Sequence, residues 1–97
     1  MNFEEFRIDI EHKLNSIARF ELLEFRYEPY HFGNGLLAYR ISGRNHRLIY
    51  DARENHLTWE CSEPHEKYFG AKFSIFKKFD GLNLEEEEIK YCIQQGL

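Results

Sequence analysis

The chain has 97 residues, a formal net charge of −4, and nine Phe, six Tyr and one Trp among its hydrophobic residues. That is the length of one domain. Two cysteines are too few for a disulfide framework, no apolar run approaches the ~18 residues of a membrane span, and the acidic balance argues against a general nucleic-acid binder.

In chain order, Asn2 followed by Glu5 reads as a capping pair that opens a helix. Phe3, Phe6, Ile10, Leu14 and Ile17 then fall on one face of a helix over residues 3–17. Leu23, Phe25 and Tyr27 alternate with Glu24, Arg26 and Glu28 as a half-buried strand ended by Pro29. A turn at Gly33-Asn-Gly35 leads to a second strand carrying Leu37, Tyr39 and Ile41. Ser42-Gly43-Arg44-Asn45 turns the chain into a third strand with Leu48 and Tyr50 on one face. Ala52–Asn55 turns it again into a fourth, where Leu57, Trp59 and Cys61 alternate with Thr58 and Glu60. Connections this short imply a sequential antiparallel meander.

Residues 62–70 read as a loop. Phe69, Phe73, Phe76 and Phe79 have helical spacing and predict a helix ending at Asp80-Gly81, although Phe73 and Ile75 also suit a strand. Asn83 and Glu86 read as a capping pair for a last helix, with Ile89, Cys92 and Ile93 on its apolar face and Gly96 as its stop. The expected architecture is a single α+β domain over 1–97: an N-terminal helix, a four-stranded antiparallel meander, and C-terminal helices packed on one sheet face. The other face is left partly open for binding.

Charge is unevenly spread. Residues 1–32 carry four Lys or Arg against seven Asp or Glu, residues 33–78 carry eight against five, and residues 79–97 carry one against five. The basic middle holds most of the residues with chemical potential. His56, Cys61 and His65 have metal-ligand chemistry, but roughly 17 Å of strand separates His56 from Cys61, so no metal and no cofactor is expected. Cys61 lies between Glu60 and Glu63, which disfavour a thiolate, and Cys92 falls on a buried helix face; both read as core thiols rather than nucleophiles. The N-terminus has neither the basic nor the apolar region of a secretory signal, so the expected compartment is the cytoplasm.

Gly35-x-x-x-x-Arg40-Ile41, His46-Arg47-Leu48-Ile49-Tyr50, Leu57 and His65 resemble the C-terminal hairpins of RelE/YoeB-type ribosome-dependent toxins. The resemblance implies a metal-independent ribonuclease with Arg47 and His65 in the cleavage site. The chain departs from that family in opening on a helix and in its acidity. In size, acidity and aromatic content the chain resembles bacterial immunity proteins. That likeness implies a non-enzymatic inhibitor of a basic, nuclease-like toxin, acting by charge complementarity. The expected binding residues are Glu54, Trp59, Glu60, Glu63, Glu66 and Tyr68, which combine aromatic anchors with steering charges. Tyr30 and Phe32 extend them, and Glu85–Glu88 form a competing patch. A third reading is a self-associating regulatory domain, a weak homodimer through the open sheet face.

Overall fold

A computed structural model describes residues 2–30 and 33–94. Phe32 and the expected helix stop at Gly96 lie outside the described residues. The element order is α1 (Phe3–Asn15), β1 (Phe20–Glu28), β2 (Asn34–Ile41), β3 (Arg44–Asp51), β4 (His56–Cys61), β5 (Ser74–Asp80) and α2 (Glu86–Gln94). The strands form one antiparallel meander in the order β1-β2-β3-β4-β5, with β1 and β5 at its edges.

The fold is α+β as expected, but the sheet has five strands. The predicted helix over the aromatic run before Asp80 is instead β5. A bulge explains the false helical period. Opposite Trp59 and Glu60, β5 skips Phe76 out of register, so Phe76 and Phe79 both pack on the core side. Phe73 lies on the far side of the sheet, under the Arg47 guanidinium, and Phe69 is 87% exposed.

α1 starts at a full capping box: Asn2 Oδ1 accepts from Glu5 N at 2.8 Å, and Asn2 N donates to Glu5 Oε1 at 3.4 Å. Phe3, Phe6, Ile10 and Leu14 are buried against the sheet, and the helix ends before Ile17. The cap of α2 differs from the expected Asn83–Glu86 pair. Glu88 reaches back to the Glu85 N–H at 3.0 Å, while Asn83 accepts from Lys13 Nζ at 3.3 Å.

β1 begins earlier than its alternation implies and has its own bulge at Leu23, between Leu22 and Glu24. The bulge restores phase, so Phe20, Leu22, Phe25 and Tyr27 share the helical face with Leu37, Tyr39, Leu48, Tyr50, Leu57 and Trp59. Ser42 and Gly43, at φ +52° and +79°, make the two-residue β2–β3 turn, and the second position suits glycine because it has no Cβ to clash. Both helices cover this one face. Tyr39 donates to Glu11 at 2.9 Å, Phe76 stacks near Tyr91 at 5.5 Å, and Lys13 ties α1 to the lead-in of α2 through the Leu84 carbonyl at 2.6 Å.

Candidate functional site

The face away from the helices is only partly open. Residues 62–73 run back across it as a strap. Ser62 N donates to Asn45 O at 3.0 Å and His65 N to Gly43 O at 2.8 Å. Asn45 Nδ2 donates to the Glu66 carbonyl at 2.9 Å. The Tyr68 hydroxyl donates to Glu24, and the Phe73 ring lies 4.1 Å beneath the Arg47 guanidinium. Ala38, on this face by register, is fully buried. Burial, and then the Glu24 carboxylate, push the Tyr68 hydroxyl up to about 12. The same bond, then Arg26 at 2.5 Å, holds Glu24 below the usual carboxylate range.

Because Tyr68 is the link from the strap to β1, Tyr68→Phe is expected to cost about 1 kcal/mol. Amide exchange at Ser62 and His65 should quicken by roughly five-fold while the α1 amides change less. Unchanged exchange at those two positions would show that Asn45 and Phe73 hold the strap without it.

This geometry disperses the expected binding residues. Trp59 is fully buried on the helical face, where its indole Nε1 donates to His46 Nδ1 at 3.0 Å. It is a core residue and offers no surface anchor. Glu60 points the other way and pairs with Arg47 at 2.6 Å. Glu66 Oε2 accepts from Lys72 N at 3.2 Å, and Tyr68 serves the strap. Glu54 is exposed in the β3–β4 turn, at the end of β4 opposite Glu63. Only Glu54 and Glu63 of the six are exposed carboxylates. Tyr30 is 96% exposed.

The nuclease residues are also separated. Arg47 is held by Glu60 and Phe73. His65, at φ +66°, lines a shallow 260 Å³ depression with Arg40, Gly43, Glu66 and Lys67, and Arg47 is not part of its wall. His56 faces Asp80 across β4 and β5 at 3.5 Å. Among the described residues no three His, Cys, Asp or Glu side chains converge as a metal site.

Cys61 has a neighbour that the sequence order concealed. His46 is its cross-strand partner, and His46 Nδ1 lies 3.3 Å from Cys61 Sγ. Indole N–H can only donate, so Nδ1 is an acceptor and the imidazole is neutral with its proton on Nε2. Its single lone pair there already serves Trp59. Burial, aided by Arg44, lowers the imidazole to about 4, which makes it a poor base for a thiol. Burial also raises the Cys61 thiol, and it pushes Cys92 up to about 12. The thiols act as core groups.

The exposed acidic residues are concentrated on the helical layer, while Arg53, Lys67, Lys72, Lys77 and Lys78 are exposed elsewhere. Over α1 and residues 82–94, Glu4, Glu5, Asp9, Glu11 and Glu85–Glu88 give eight carboxylates against Arg7, Lys13 and Lys90. That layer is −5, so the rest of the −4 chain is +1. Beside it, Phe25 and Tyr27 on edge strand β1 are 39% and 49% exposed. With Asn2, Phe3 and Glu4 they line a groove of 220 Å³. The alternation that marked Phe25 and Tyr27 as core residues could not show that α1 leaves them half covered. Among the described residues no helix is long and apolar enough to cross a membrane. Comparison with protein-family models, curated proteins and solved structures finds no match to this chain.

Proposed function

We propose that the chain is a non-enzymatic protein-binding domain of the immunity type, which neutralises a basic, nuclease-like partner by charge-complementary association. The observation that carries this reading is the segregation of charge: the helical layer has eight carboxylates against three Lys or Arg. Of its acids, Glu4, Glu5, Glu85, Glu86 and Glu87 are exposed. A surface of one sign accelerates encounter with a partner of the other sign and disfavours wrong partners. The reading moves the binding surface from the β4 end of the sheet to the patch that begins at Glu85.

The test is a pull-down from the native cell with the intact chain, across a salt series. One stoichiometric basic protein, released by raised salt, is the expected result. Glu86→Lys with Glu87→Lys should weaken its capture at least ten-fold, while Glu54→Lys with Glu63→Lys changes it little. Equal capture by both double variants, each folded by circular dichroism, would sink the helical surface. A concentration-dependent mass of the chain alone in sedimentation would favour self-association instead.

A second reading has one observation behind it. The depression lined by Arg40, His65, Glu66 and Lys67 joins an imidazole and a carboxylate to two cations, the groups that metal-free RNA cleavage uses. On that reading purified chain cleaves RNA and His65→Ala loses the activity. Intact RNA after incubation with the wild type dismisses it.

A further inference from the structure

We infer that the partner engages the free edge of β1 as an added strand, an extended segment in which apolar side chains alternate with basic ones. The inference rests on the protein-binding reading above and adds a second contact, beside the first turn of α1, to the acidic patch at Glu85–Glu88. An antiparallel meander has two edges, and they differ in charge and in regularity. β5 carries Lys77 and Lys78 against Asp80, and its bulge falls mid-strand at Phe76. β1 carries Glu21, Glu24 and Glu28 against Arg26. Its pairing with β2 is unbroken from Glu24 to Glu28, between the Leu23 bulge and Pro29. Bulges and prolines stop strand addition, so the usable template is those five residues. A basic strand is repelled by β5 and attracted by β1. A second copy of β1 carries the same net negative charge, so it lacks the attraction that a basic strand has.

The side chains of that stretch match the alternation required for docking. Glu24, which already accepts from Tyr68 and Arg26, shares with Arg26 and Glu28 the face away from the helices, where basic side chains of the incoming strand would lie. Phe25 and Tyr27 face α1 and border the 220 Å³ groove, which takes an apolar side chain. Their rings stand 5.2 and 5.6 Å from Phe3, so the groove has rigid aromatic walls. Glu4 at the rim adds a carboxylate toward a flanking cation.

The probe is the peptide acetyl-Lys-Val-Lys-Ile-Lys-Val-Lys-amide, titrated into the ¹⁵N-labelled full chain. The expected shifts concentrate at Glu24–Glu28 and the first turn of α1. They should weaken roughly ten-fold with Phe25→Lys and Tyr27→Lys together, and with a peptide of the same composition in blocked order. Shifts centred on β5 or on Glu85–Glu88, equal binding by the blocked peptide, or no binding at millimolar peptide would each overturn strand addition. The native partner separates the two claims. If a basic protein is captured and the Phe25/Tyr27 variant captures it equally well, strand addition fails and the protein-binding reading stands. If no basic protein is captured, that reading fails and takes this inference with it.

Discussion

Lowering the pH from 6.5 towards 4 is expected to remove about 3 kcal/mol of stability through His46 alone. The imidazole is 1% exposed, and its Nδ1 lone pair accepts from Trp59. Burial, then the Arg44 charge, lower it to about 4 in the fold against an ordinary 6.5. Between those values the unfolded chain holds a proton that the folded chain lacks. The contribution is therefore full above about pH 6.5, falls as the pH falls, and is flat below about 4. The gap corresponds to about 3 kcal/mol. Glu24, held below the usual carboxylate range by Tyr68 and Arg26, adds its loss only at lower pH.

Urea midpoints at pH 7, 6, 5 and 4.5 test this directly. His46→Gln keeps an acceptor for the indole and does not titrate, so its midpoints should be nearly level over that range. His46→Phe should lose about 1–3 kcal/mol at pH 7, since it strands the Trp59 N–H. If His46→Gln follows the wild-type pH curve, another group is responsible for the acid sensitivity.

Gly35→Ala is expected to destabilise the fold by about 2 kcal/mol, and Gly35→Val by more. Gly35 sits in β2 between Tyr27 and Tyr50. The outer end of the Phe3 ring lies over it, and a Cβ there would come within 2.4–2.6 Å of three ring atoms. Ring displacement is costly because Phe6, Phe25, Tyr27 and Tyr50 enclose Phe3, with centroids 5.0–6.4 Å apart in this cluster. Phe3→Leu supplies the control. Alone it should destabilise by opening space, yet in the Gly35→Ala background it should cost less, because the smaller side chain relieves the contact. Simple additivity of the two changes would mean that the ring yields freely.

The elements that were legible in the sequence have local causes. Asn2 and Glu5 announced α1, and Phe3, Phe6, Ile10 and Leu14 marked its buried face. Short turns announced the pairing of β2, β3 and β4. β5 was hidden because one bulged residue turned a two-residue period into an apparent helical one at Phe73, Phe76 and Phe79. The true cap of α2 was masked by Asn83, whose amide serves Lys13 from α1, a contact no local pattern encodes. The binding face misled for a geometric reason. Trp59 and Glu60 are adjacent in sequence and so project from opposite sides of β4. The strap over Arg47 and Ala38 depends on tertiary contacts of Tyr68 and Phe73, which are separated from their partners by 44 residues in the case of Glu24.

The two helices that share one face of the sheet are the first and last elements among the described residues, joined by Lys13 to Leu84 across 71 residues. During synthesis the meander can pair as it emerges, since each strand neighbours the one just made. Its apolar face cannot be fully covered until Ile89, Cys92 and Ile93 leave the ribosome. A sheet that pairs before α2 has emerged therefore has a half-bare core. Closure of α2 over the core, rather than strand pairing, is then the step that hides the last of the sheet's apolar face.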